Sequence, residues 1–148
     1  MSKPLSLAVL ACGLTACHAP AASYHPRLRA FTITTVPLLT KELAKTYPFL
    51  TRDFQKGGVL EGKEVYAFVP STLVVYAGDT LELTFVNPED DAHTFVLPDF
   101  AVAVPGQRTQ TVRYVARQAG IFIFRCNIAS HAPMMSGELL VLPAAGGS

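Results

Sequence analysis

Four side chains of the kinds that hold one soft metal ion lie in the second half of the chain. They are His93 on an apolar run, then Cys126, His131 and Met135 on one short stretch. Two imidazoles and a thiolate in a plane, with a thioether weakly on the axis, are the donors of mononuclear copper centres that pass single electrons. Singly, each residue is ordinary. His93 alone reads as a histidine satisfied inside a core, Cys126 as a small buried hydrophobe at a strand end, Met135 as core filler, and His131 beside Pro133 as a loop residue. Together they imply one chemistry: Cys126 closes one apolar run and Met135 precedes the next, so a single hairpin presents three ligands while His93 comes from a neighbouring strand. The hydroxyl of Thr94 and the loop backbone from Asn127 are placed to meet the sulfur and tune the ion behind its ligands.

The elements that must position these residues are strands. Leu81, Leu83 and Phe85 alternate with Thr80, Glu82 and Thr84, the pattern of a strand with one wet face. Further short strands are expected over residues 29–36, 64–69, 72–76, 92–97, 109–116, 121–126 and 137–142, separated by Gly, Pro and Asn/Asp turns such as Ala77-Gly78-Asp79 and Pro105-Gly106. Pro37 is expected to end the first strand. Residues 40–54 suggest a turn or two of helix with Thr40 at its start and Pro48 as its stop, and residues 41–62 have no evident role beyond docking or covering a sheet edge. Seven or eight short strands with at most one short helix imply an all-β fold, an antiparallel Greek-key β-sandwich. At 148 residues the chain suits one domain.

Of 3 cysteines, Cys12 lies in an apolar run, Leu5 to Leu14, that follows Lys3 and reads as an export signal over residues 1–16. Leu14-Thr15-Ala16-Cys17 resembles a bacterial lipobox, so acylation of Cys17 is expected, followed by a tether over 17–26 and a domain over 27–148. Ordinary cleavage near Ala19-Pro20-Ala21 is the alternative, and it leaves a soluble protein. Either way Cys126 has no disulfide partner in the body of the domain, and an unpaired thiol in an exported protein is best explained by metal ligation. With 12 basic against 11 acidic side chains and no basic cluster, nucleic acid is not an expected partner.

The spacing from Cys126 to His131 to Met135, followed by Ser136-Gly137 and an apolar strand, resembles the azurin ligand loop. The stretch from Glu64 to Leu142 is similar to the cupredoxin family of small type 1 blue copper proteins, including the compact domains of copper-bearing oxidase subunits and nitrosocyanin-like proteins. The resemblance implies one copper ion cycling between Cu(I) and Cu(II), held by His93, Cys126, His131 and Met135. Met135 is chosen over Met134 because the family places a Gly two residues after its axial Met, here Gly137. It implies electron transfer with a redox protein such as a cytochrome or terminal oxidase, in a monomer that touches membrane through the lipid anchor alone. Ala132, Pro133 and Met134 would form an apolar docking rim around an exposed edge of His131, and Glu89-Asp90-Asp91 would steer a basic partner. Ser130 stands where dinuclear copper domains have a second Cys, and His93 where nitrosocyanin has a carboxylate. Multicopper oxidases and nitrite reductases need further His clusters, whereas His18 and His25 are the other histidines and read as tether residues. A copper-delivery or copper-holding lipoprotein is the rival reading, to which the Met134-Met135 pair leans.

Overall fold

The structure, a computed structural model, describes residues 23–144. Nine strands among these residues form two sheets packed face to face. β1 (Leu28–Leu39), β2 (Val65–Val69), β4 (Thr80–Asn87) and β7 (Arg108–Val115) make the first, in the order β2-β1-β4-β7. The second is β3-β9-β8-β5-β6, from β3 (Thr72–Tyr76), β5 (His93–Leu97), β6 (Phe100–Val104), β8 (Gly120–Arg125) and β9 (Ser136–Leu142). β1 runs parallel to β4 and β3 parallel to β9, and the remaining pairings are antiparallel. The two parallel pairs mark where the chain crosses between sheets rather than turning back on itself.

Alternation puts one side of each strand inside. On β4 the buried residues include Leu81, Leu83 and Phe85, and they meet Phe95 of β5 and Phe124 of β8 across the sandwich. Phe95 and Phe124 stack with ring centroids 4.6 Å apart, and Phe68 of β2 sits edge-on to both. The aromatic layer continues without a break into Cys126 and Met135, both fully buried in the same cluster. The site is thus built on the end of the core.

Three details differ from the sequence reading. Pro37 does not end β1, which runs on to Leu39. Beyond Thr34 the strand has lost its β4 neighbour, so Pro37 falls where β1 is flanked by β2 alone, next to an irregularity in register between Pro37 and Leu39. Such sites tolerate a residue without an N–H. The expected helix is α1 (Lys41–Thr46), followed by a 3-10 turn at Pro48–Leu50 and a single further turn, α2 (Thr51–Phe54). Thr40 stands at the head of α1, but its side chain makes no capping bond. Finally, Tyr24, expected in the tether, packs on Tyr76 and donates a hydrogen bond to Asp79, so the packed body already includes it. The signal, Cys12 and Cys17 lie outside the described residues.

Candidate metal centre

The positions of the candidate ligands follow from strand ends. His93 is the first residue of β5 and pairs with Val104, the last of β6. Because β5 alternates, His93, Phe95 and Leu97 all point inward. Cys126 directly follows β8 and Met135 directly precedes β9, and the Cys126 N–H donates to the Met135 carbonyl at 2.9 Å, closing the loop at its neck. Within it the N–H groups of His131 and Ala132 both donate to the Ile128 carbonyl, and that of Met135 to the His131 carbonyl. The Glu64 N–H, at the entry to β2, donates to the Ser130 carbonyl at 2.9 Å and ties the loop to the first sheet.

The donor atoms of His93, Cys126 and His131 all lie within 4.8 Å of one another. Nδ1 of His93 is 3.2 Å from Nδ1 of His131, which is 3.8 Å from Sγ of Cys126. An ion about 2.0–2.1 Å from each nitrogen and about 2.3 Å from sulfur would span the 3.2 Å and 3.8 Å separations with angles of roughly 100° and 120°. The donor set therefore fits one soft transition metal ion. Exposure is 1% at His93, 0% at Cys126, 4% at His131 and 0% at Met135, so the site is closed, and the His131 edge is far less open than the sequence suggested.

Burial, and for His93 also the neighbouring His131, lowers the imidazole pKa values, that of His93 to about 4. Both rings are neutral at pH 7, which is the form with a lone pair for a metal. Thr94 Oγ1 accepts the Asn127 N–H at 2.9 Å and lies 2.7 Å from Asn127 Oδ1 and 3.6 Å from Cys126 Sγ. Its one proton is better placed for the amide oxygen, so Thr94 chiefly pins the residue after Cys126. Met135 is buried and tied by backbone to both Cys126 and His131, while Met134 is 41% exposed. Pro133 is exposed and Ala132 half-buried.

One residue at this site escaped the sequence reading, and a second has a contact there that the sequence did not suggest. Tyr66, on β2, lies with its ring centroid 4.7 Å from both histidine rings. Its hydroxyl donates to Asp91 Oδ2 at 2.5 Å, and burial together with that bond pushes the phenol well above its ordinary range. Asp91, exposed in the acidic run expected to steer a partner, is thereby also anchored to the site. The one available signal was alternation, which puts Tyr66 on the same inward face as Phe68.

No family model matches the chain. The copper-containing nitrite reductase of Alcaligenes xylosoxydans xylosoxydans is 36% identical over 92 residues, 51% of this chain and 27% of that enzyme. That of Pseudomonas chlororaphis is 35% identical over 92 residues, 51% of this chain and 25% of the enzyme. The chain thus spans about a quarter of the length of these relatives. Among solved structures, auracyanin A, a blue copper protein from Chloroflexus aurantiacus, superposes with a TM-score of 0.50 at 18% identity, covering 77% of this chain and 98% of that one. The multicopper oxidase mgLAC gives 0.54 at 14%, covering 79% of this chain and 39% of its own. The fold is cupredoxin-like, the relatives are copper proteins, and the His–Cys–His group could hold a single metal ion.

Proposed function

We propose that this domain carries single electrons between redox proteins, on a copper ion that His93, Cys126, His131 and Met135 would hold. The observation that supports it best is closure: donors exposed by 0–4% admit no substrate, whereas an electron needs only short distances and a rigid shell. Bound copper would supply the Cu(I)/Cu(II) couple. Three ligands on a loop cross-braced at Cys126–Met135, Ile128 and Ser130 keep the donors in place as charge changes. His131 retains the small opening toward solvent, and Pro133 and Met134 beside it offer an apolar rim on which a partner such as a cytochrome or terminal oxidase would dock. Glu89, Asp90 and Asp91 would steer a basic partner to that end. Export and acylation at Cys17 would hold the carrier at a membrane surface.

A delivery protein would expose its donors for exchange, and the burial of all four weighs against that role. A nitrite-reducing reaction, the activity of the relatives, calls for a place where nitrite meets a metal. The one group of metal-holding geometry among the described residues is the closed one. The deciding measurement is the absorption and paramagnetic-resonance spectrum of the copper-loaded chain. An intense thiolate-to-copper band, unaffected by nitrite or azide and abolished in Cys126→Ser, is the expected outcome. A band that persists in Cys126→Ser removes the thiolate, and a spectrum altered by nitrite makes the site an open, reactive one.

A further inference from the structure

Among the described residues, one buried side-chain polar atom lacks a hydrogen-bond partner, and it is Nε2 of His93. A metal-bound histidine ordinarily donates its second N–H to a carboxylate, a carbonyl or water, and leaving a buried donor unpaired is costly. The Nδ1 of His93 faces the Nδ1 of His131 at 3.2 Å, so with a metal on Nδ1 the ring proton belongs on Nε2, in a place with no oxygen or nitrogen to receive it. What lies against His93 instead is aromatic. His131 is one neighbour, with centroids 4.9 Å apart, but the two rings meet through their paired Nδ1 atoms. The other is Tyr66, at 4.7 Å and 66°, an edge-to-face arrangement that suits an N–H directed at a π face.

Tyr66 is held as a fixed acceptor would need to be. Its hydroxyl is bonded to Asp91 Oδ2, and the Asp91 carbonyl accepts from Asn87 Nδ2 at 2.7 Å. Asn87 in turn accepts the Thr35 hydroxyl at 2.7 Å and donates to the Val104 carbonyl, on the residue paired with His93. Both sheets therefore fix the ring against the first ligand. We propose that the π face of Tyr66 is the acceptor for the Nε2–H of His93, which makes Tyr66 a positioning residue that selects the tautomer and plane of that ligand. This rests on the reading of His93 as a metal ligand through Nδ1.

The test is proton and nitrogen resonance of the full chain loaded with zinc, a diamagnetic stand-in for copper. A proton over a ring face is shielded, so the His93 Nε2–H is expected to resonate upfield of an ordinary imidazole N–H and to exchange slowly with water. Tyr66→Phe keeps the ring and the upfield position. Tyr66→Leu loses both the shift and the slow exchange, and releases zinc to a chelator roughly ten- to a hundredfold faster. A proton at the ordinary position in the wild type, a shift unaltered by Tyr66→Leu, or a metal bound through Nε2 would overturn the assignment. If Tyr66→Leu does not fold, the wild-type and Tyr66→Phe spectra decide. Absence of any zinc-dependent shift at His93 would instead overturn the ligand reading beneath it.

Discussion

Two adjacent methionines with opposite surroundings make the axial ligand testable at the level of single residues. Met135 is fully buried and bonded through its backbone to Cys126 and His131, whereas Met134 is 41% exposed. A harder oxygen donor on the axis favours Cu(II) over Cu(I). Met135→Gln should therefore lower the reduction potential, measured by voltammetry, while Met134→Gln leaves it in place and weakens partner docking instead. Equal shifts in the two variants would take the axial role from Met135. Thr94 makes a different prediction. Its hydroxyl serves Asn127 twice and approaches Cys126 Sγ at 3.6 Å, so Thr94→Val should cost about 1 kcal/mol of stability by denaturant titration. Release of copper to a chelator should quicken as well, because the residue next to the thiolate is no longer pinned.

Between residues and the whole lies the contact of one turn with another. A Cβ added at Gly106, in the turn joining β6 and β7, would come 2.2 Å from the Asp90 carbonyl oxygen, and the neighbouring Gln107 N–H already donates to the Glu89 carbonyl at 2.8 Å. The turn thus buttresses the loop that places Asp91 on Tyr66. Gly106→Ala should displace that loop and cost about 1–3 kcal/mol, read by thermal unfolding, with a changed copper spectrum as the sign that the strain reaches the ligands. Much at this scale was legible in the sequence. The strand from Thr80 was plain because Leu and Phe alternate with Thr and Glu, and the ligand hairpin because donor residues sit where two apolar runs meet. β6 was not legible: in Phe100-Ala101-Val102-Ala103-Val104 the outward positions hold alanine, and alternation without polar contrast carries no period. Tyr66 was hidden for a related reason, since an aromatic residue on an inward strand position looks like core until its hydroxyl is seen to have Asp91 as a partner.

A polar cluster at Asp79, away from the candidate metal ligands in sequence, ties the start of β1 to the turn between β3 and β4. There the turn between β3 and β4 buries Asp79 completely, and its carboxylate accepts from the Tyr24 hydroxyl, the Arg27 and Tyr76 N–H groups and the Arg29 guanidinium. Burial alone would raise its pKa, but these four donors hold it at about 2 against an ordinary 3.8. The unfolded chain therefore binds the proton more readily. The stabilisation from this group is complete above about pH 4 and disappears as pH falls through about 2. Its size is about 1–2 kcal/mol once screening of the third-exposed Arg29 is allowed for. What it secures is the start of β1, whose residues 28–34 pair with β4 and carry the first sheet, and through that sheet the position of β2 and Tyr66. Asp79→Asn should unfold more easily than the wild type at pH 7, and the gap, followed by urea titration, should narrow as the solution is taken from pH 5 toward pH 2. Metal lost in acid cancels from that difference, since both chains keep the same ligands. A gap that stayed constant would mean that Asp79 secures β1 through its shape and hydrogen bonds rather than through its charge.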